Sequence, residues 1–205
     1  MTEQYYEKLL NIKTTGDQKV FYDSLHYHRY EPTSYEWLNV LCKNYEFTSN
    51  DKIVDFGCGK GRLNFYLNYF FDAYVTGIDM NNYFIELCEQ NKTSYLKKNN
   101  KSHTTDKINF INCLAQDYEV SNYDNKFYFF NPFSSQIFMS VVKNILDSAY
   151  KYQRTIDLIL YYPEDDCIYY LENHTCFTLF KEIPIPKLFN KDNRHKYIIY
   201  RLQFS

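Results

Sequence analysis

The chain of 205 residues has five glycines, five prolines and a single tryptophan. It lacks both a Pro/Gly/Ser-rich linker and an internal repeat, so one domain over residues 1–205 is expected. A chain of this length buries roughly 70% of its unfolded surface. No run of about 18 apolar residues occurs, which predicts no membrane span. Met1-Thr2-Glu3-Gln4-Tyr5-Tyr6-Glu7 has neither a basic start nor an apolar core, so no secretory leader is expected. None of the six cysteines (Cys42, Cys58, Cys88, Cys113, Cys167, Cys176) stands in a Cys-x-x-Cys pair, which argues against zinc or a disulfide framework. Reduced thiols in a cytoplasmic protein are the simplest expectation. His26, His103, His174 and His195 also lack metal-like spacing, and no metal is predicted. Charge of one sign is not in excess: the net charge of −2 gives no global pull toward nucleic acid or an anionic membrane.

Aromatic residues are plentiful instead, with 23 Tyr and 17 Phe. Tyr, Phe, Asn, Lys and Ile share A/T-rich codons, so genome composition explains this bias better than an aromatic binding surface does. With 45% apolar and 23% charged residues, the composition is that of an ordinary globular protein.

Periodicity predicts alternating strands and helices. Residues 1–50 read as a mostly helical N-terminal cap, broken around Thr14–Asp17 and at Pro32. Its second helix carries the Trp37, Leu38, Val40, Leu41, Tyr45 stripe, capped by Thr33 or Ser34. Residues 51–205 read as the core. Strands are expected at Lys52–Phe56, Tyr74–Ile78, Ile108–Cys113, Phe127–Phe130 and Ile156–Tyr162. Helices are expected at Leu63–Phe71, Asn82–Lys98, Ile137–Tyr152 and Cys167–Leu171, and an antiparallel pair at Cys176–Ile183 and Lys196–Phe204. This order is that of a doubly wound α/β sheet with helices on both faces. In such sheets ligands bind beyond the carboxyl ends of the central strands.

Chemistry concentrates at those ends. Ile53-Val54-Asp55-Phe56-Gly57-Cys58-Gly59-Lys60-Gly61 runs from a buried strand through an acid into three alternate glycines and then a helix, whose N-terminal N–H groups are free. Glycines permit a sharp turn and close approach to a ligand. The Asp55 carboxylate disfavours a pyrophosphate and suits an ammonium-bearing ligand, which points to S-adenosylmethionine (SAM). The dinucleotide fingerprint Gly-x-Gly-x-x-Gly fails, because the third glycine falls one residue early, with Arg62 in the next place. A phosphate loop fails too, since no Ser/Thr follows Lys60. Asp79, Asp117 and Asn131 follow strands two, three and four and land on the same edge.

By these residues the segment from Asp51 to Phe204 resembles the class I SAM-dependent methyltransferases. The resemblance implies a Rossmann-like sheet of seven strands, six parallel and the last antiparallel. It implies that Asp55, Phe56, Gly57, Cys58, Gly59 and Gly61 wrap the methionine part of the cofactor, and that Asp79 accepts both ribose hydroxyls. It places Met80 against the adenine and makes Ala115, Gln116 and Asp117 the adenine-holding segment. Asn131-Pro132-Phe133 is similar to the Asn-Pro-Pro-Tyr/Phe motif of amino-methylating members, in which the Asn oxygen and the next carbonyl accept the nitrogen's hydrogens while an aromatic ring stacks on the acceptor. One proline is missing here, which leaves the register of Phe133 open. Asn131 lines the cofactor pocket on either reading.

Tyr30, Glu31, Thr33, Tyr161 and Tyr162 are expected to line an acceptor pocket, with His28 as a candidate base or a residue of a surface turn. The expected activity is methyl transfer to an acceptor, with nitrogen favoured over oxygen or carbon. That acceptor is a small molecule or a protein or RNA group rather than duplex DNA. A catalytically silent SAM-binding sensor or partner subunit is the alternative.

Overall fold

The computed structural model describes residues 2–16, 31–99 and 106–204. Among these residues seven strands make one sheet: β1 (Lys52–Phe56), β2 (Tyr74–Asp79), β3 (Ile108–Asn112), β4 (Lys126–Phe130), β5 (Ile156–Tyr161), β6 (Thr178–Pro184) and β7 (Lys196–Leu202). They lie in the order β3-β2-β1-β4-β5-β7-β6. The first five pair in parallel, while β7 is antiparallel to both β5 and β6. Six strands therefore point one way and only the last is reversed, as the resemblance implied.

The helices are α1 (Glu3–Leu10), α2 (Tyr35–Asn44), α3 (Arg62–Phe71), α4 (Asn82–Asn99), α5 (Ser135–Lys151) and α6 (Asp165–His174). Ser34, not Thr33, caps α2, its hydroxyl accepting from the Glu36 N–H. Thr2 caps α1, which ends in a left-handed Asn11. Such short polar caps stop a helix locally, which is why the boundaries are legible from sequence.

Strand alternation splits the core into two layers. Ile53, Tyr128, Ile159, Tyr161 and Tyr197 face α1, α2 and α3. Val54, Phe56, Phe127, Phe129, Leu158 and Leu160 face α5 and α6. Asp55 shares the face of Ile53 and lies level with Gly77 on β2 and Tyr128 on β4. It is an acid between apolar residues of β1, under the layer that carries the N-terminal helices.

The opposite end of the sheet holds a buried ionic cluster. Asp157, at the start of β5, accepts from Tyr45 and, through both carboxylate oxygens, from the Arg201 guanidinium at 2.7 Å. Lys126 donates to the Tyr45 hydroxyl at 2.8 Å and pairs with Asp51 at 3.5 Å. These residues join α2, β1, β4, β5 and β7 at their lower ends. Among the described residues no helix is long and apolar enough to cross a membrane.

Candidate active site at the carboxyl ends of the strands

The chain leaving β1 turns at once toward β2. The N–H groups of Gly57 and Cys58 both donate to the Ile78 carbonyl, at 2.8 and 3.0 Å, and Gly61 N–H closes a turn on the Cys58 carbonyl. Gly57, Gly59 and Gly61 all have positive φ, a conformation that side-chain-bearing residues rarely adopt. Gly57 meets a second demand, because a Cβ there would lie 2.5 Å from the Pro132 Cβ. The glycine loop and the Asn131-Pro132 corner after β4 are thus in direct contact, and only a glycine lets them close.

Asp79, the last residue of β2, is clamped from both sides. Its Oδ2 accepts from Gly59 N–H and its Oδ1 from Asn81 N–H, each at 2.9 Å. The Asn112 side chain at the end of β3 donates to the Asp79 carbonyl at 2.9 Å. Burial pushes the Asp79 carboxyl up to about 6, against the pull of those two N–H groups. Two carboxylate oxygens offer about four lone-pair sites, so each retains capacity for a hydroxyl donor.

Asp55 is treated differently by its surroundings. It is 4% exposed, and no hydrogen bond to its carboxylate is formed by the described residues. Burial first, and the Asp79 charge second, push it up to about 8. A buried carboxyl without a donor is costly unless something else supplies one. An ammonium group reaching the loop supplies both charge and hydrogen bonds, so the residues present fit a cationic amino-acid ligand.

Around the rim, Ala115–Asp117 form a 3-10 turn after β3, with Ala115 buried and Asp117 exposed. Asn144 of α5 donates to the Gln116 carbonyl at 2.7 Å and fixes that turn. Met80 is half-buried between Asp79 and α4. Asn131 at the end of β4 and Tyr162 at the end of β5 both have positive φ, 38° and 54°. Asn tolerates this region, whereas a tyrosine there is strained.

Two of the expected aromatic residues are buried at this end of the sheet. Phe133 is buried, packs edge-on against Phe129 at 6.2 Å and Phe56 at 6.5 Å, and lines a small cavity with Asn131 and Pro132. Its ring belongs to the apolar layer that faces α5 and α6. Tyr161 is fully buried, its ring held among Trp37, Phe130 and Tyr197, and it lines the same cavity as Asn131 and Pro132.

Thr33 is buried as well, its hydroxyl paired with that of Tyr128 at 2.9 Å. Glu31 is exposed, and its charge reaches the Tyr161 and Tyr162 phenols. His28 and Tyr30 lie outside the described residues.

Sequence reasoning missed the contribution of the connection between β6 and β7. His195 Nδ1 meets the Tyr161 hydroxyl at 2.9 Å, and Tyr162 donates to Asp192 at 2.6 Å beneath the Arg194 guanidinium. Some thirty residues separate these partners in the chain, and no local signal announces them. Lys60 and Arg62 were also missed as anchors, although two cations inside a glycine loop were visible.

A family model described as a methyltransferase domain matches residues 47–191. The chain belongs to this methyltransferase family. The match spans the carboxyl ends of β1 to β5, and the protein is a SAM-dependent methyltransferase. Comparison with curated proteins finds no match.

Among solved structures the methyltransferase is similar to YjhP from E. coli (11% identity, 85% of this chain and 94% of that one, TM-score 0.58). It is also similar to a protein of the NADB-Rossmann superfamily from Streptococcus agalactiae (15% identity, 85% and 70%, TM-score 0.56). A third is TrmK from M. capricolum, in complex with S-adenosyl-homocysteine (16% identity, 83% and 68%, TM-score 0.52). At such identities the likeness is one of fold.

Proposed function

We propose that the methyltransferase acts on a nitrogen acceptor held at Asn131, beside a cofactor anchored by Asp55 and Asp79. SAM brings a methyl group already activated on a sulfonium, so the chain's task is alignment, and proximity of this kind is worth effective molarities of about 10⁵ M or more. Asp55 receives the ammonium of the cofactor. Asp79 receives the ribose hydroxyls while its two backbone N–H bonds hold it in place. Ala115–Asp117 and Met80 take the adenine. Asn131 and the carbonyl of Pro132 accept the hydrogens of the acceptor nitrogen and aim its lone pair at the methyl group.

The single observation carrying this reading is the contact of Pro132 with Gly57. It sets the Asn131-Pro132 corner against the loop that would hold the methionine part of the cofactor. Phe133 and Tyr161, which line the cavity beside Asn131, supply aromatic surface next to it, and Tyr162 follows the strand paired with β4. Glu31 and Tyr162 would then border the acceptor. Chemically such an acceptor is a small molecule or an exposed protein or RNA group rather than a base inside duplex DNA.

The test supplies methyl-labelled SAM with fractionated cell extract and identifies the labelled atom in the product. Label on nitrogen is expected, and Asn131→Ala should reduce transfer about a hundredfold while leaving S-adenosylhomocysteine affinity nearly unchanged. Label on oxygen or carbon, or full transfer by Asn131→Ala, would overturn the assignment.

A further inference from the structure

Lys60 and Arg62 sit within and just after the glycine loop, yet both point away from the strand ends and into the N-terminal segment. Lys60 Nζ donates to the carbonyls of Thr15 and Gly16 at 3.2 and 3.1 Å. Arg62, 4% exposed, donates from Nε to the Thr14 hydroxyl at 2.7 Å and from Nη1 to the Thr33 carbonyl at 3.1 Å. It pairs with Glu3 and Glu7 of α1, and its guanidinium lies 4.4 Å from the centre of the Tyr35 ring. Asn91 of α4 adds a third link: its side-chain amide donates to the Lys60 carbonyl at 3.2 Å and the Lys13 carbonyl at 3.3 Å, and accepts from Lys13 N–H at 2.9 Å.

The Lys60 and Arg62 side-chain bonds join the glycine loop, or the helix it opens, to residues 3–16 and 33, and Asn91 bridges Lys60 and Lys13 from α4. None is needed to form the loop, whose turn is already closed by Ile78, Cys58 and Asp79. A buried arginine between two glutamates is a costly way to glue a helix down, since apolar residues of the same size do as well or better. Its attested use is to define one arrangement against others. The Thr33 hydroxyl carries the same link inward to Tyr128, which is level with Asp55 on the neighbouring strand.

We propose that Lys60 and Arg62 are positioning residues for the cofactor, coupling the docking of the N-terminal segment to occupation of the cofactor site. This rests on the cofactor reading of the glycine loop. Because such coupling is reciprocal, whatever factor the docked segment adds to cofactor affinity, the cofactor adds to docking. The N-terminal helix thus acts as a brace on the loop, and a solution change that frees it weakens the cofactor by the same factor.

Calorimetry with S-adenosylhomocysteine, together with limited proteolysis of residues 2–16, tests this on the full chain. Lys60→Met is expected to weaken binding about tenfold, the equivalent of roughly one charge-assisted bond passed on to the cofactor, with the protein still folded and Lys60→Arg restoring the affinity. Glu3→Gln/Glu7→Gln, on the far side of the link, should weaken binding in the same direction. Bound S-adenosylhomocysteine should slow cleavage of the segment in the wild type and lose that effect in Lys60→Met. Unchanged affinity in a folded Lys60→Met protein, or a loss that Lys60→Arg does not restore, overturns the coupling while leaving the cofactor site intact. Absence of binding by the wild type overturns the cofactor reading and the coupling with it.

Discussion

Asp55 and Asp79 are neighbouring acids with opposite provision: Asp79 accepts a backbone N–H on each oxygen, whereas Asp55, level with Gly77 on the adjoining strand, accepts none from the described residues. Each raises the demand on a ligand, because burial holds both above the ordinary carboxylate range. The pair defines which part of the site is already satisfied and which part waits for a cation.

The pH dependence follows with a definite sign. Both groups bind a proton more tightly folded than unfolded, so the unliganded protein holds more protons than its unfolded chain between about 4 and 8. Their contribution to stability is therefore present at low pH and is lost as pH rises through about 6 and then about 8. A ligand ammonium prefers the ionised Asp55, so affinity runs the other way. S-adenosylhomocysteine should bind roughly tenfold or more tightly at pH 8 than at pH 6, measured by calorimetry. Asp55→Asn should bind weakly with a flattened profile, and an unaltered profile in that variant would refute the role.

Asp79→Ala removes the acceptor for Gly59 and Asn81 as well as the expected hydroxyl contacts. At about 1.5–3 kcal/mol per charge-assisted bond, cofactor affinity should fall roughly tenfold to a thousandfold. Amide exchange should also quicken at Gly59 and Asn81. Slow exchange there with full affinity would contradict the clamp.

Gly57→Ala puts a methyl 2.5 Å from the Pro132 Cβ on a backbone with φ of 77°. The left-handed conformation alone costs of order 1–3 kcal/mol. Denaturant unfolding should show a loss of at least that size. Pro132→Gly in the same chain should recover part of it, because the clashing atom is removed. Additive losses in the double variant would mean that the two corners do not meet.

Asp157→Ala addresses the other end of the sheet. It strips Arg201, Lys126 and Tyr45 of a shared buried partner, and breaking a buried pair from one side costs about 3–5 kcal/mol. Chemical denaturation should show that loss, while S-adenosylhomocysteine affinity of the folded fraction stays at the wild-type value. A drop in affinity would show that the lower ends of the strands govern the site.

Strand and helix order, the glycine loop and the acids at the ends of β1 and β2 were all legible in the residues, because period, capping and turn chemistry act over a few positions. The one missing proline near Asn131 was legible as a departure, but its consequence was not. Phe133 packs against Phe129 of the strand it follows and against Phe56 of the neighbouring β1, which lies far back in the chain. The same holds for Tyr161, whose surroundings come from Trp37, Phe130 and Tyr197.

What the amino-acid order determined by itself is therefore the alternation of elements and the kind of ligand its loop prefers. Only the tertiary structure decided which aromatic rings reach the rim, how strongly Asp55 is desolvated, and that Lys60 and Arg62 grip the N-terminal segment. The physical reason is range. Local propensities are written in neighbouring residues, whereas desolvation and packing depend on residues brought together from far apart in the chain.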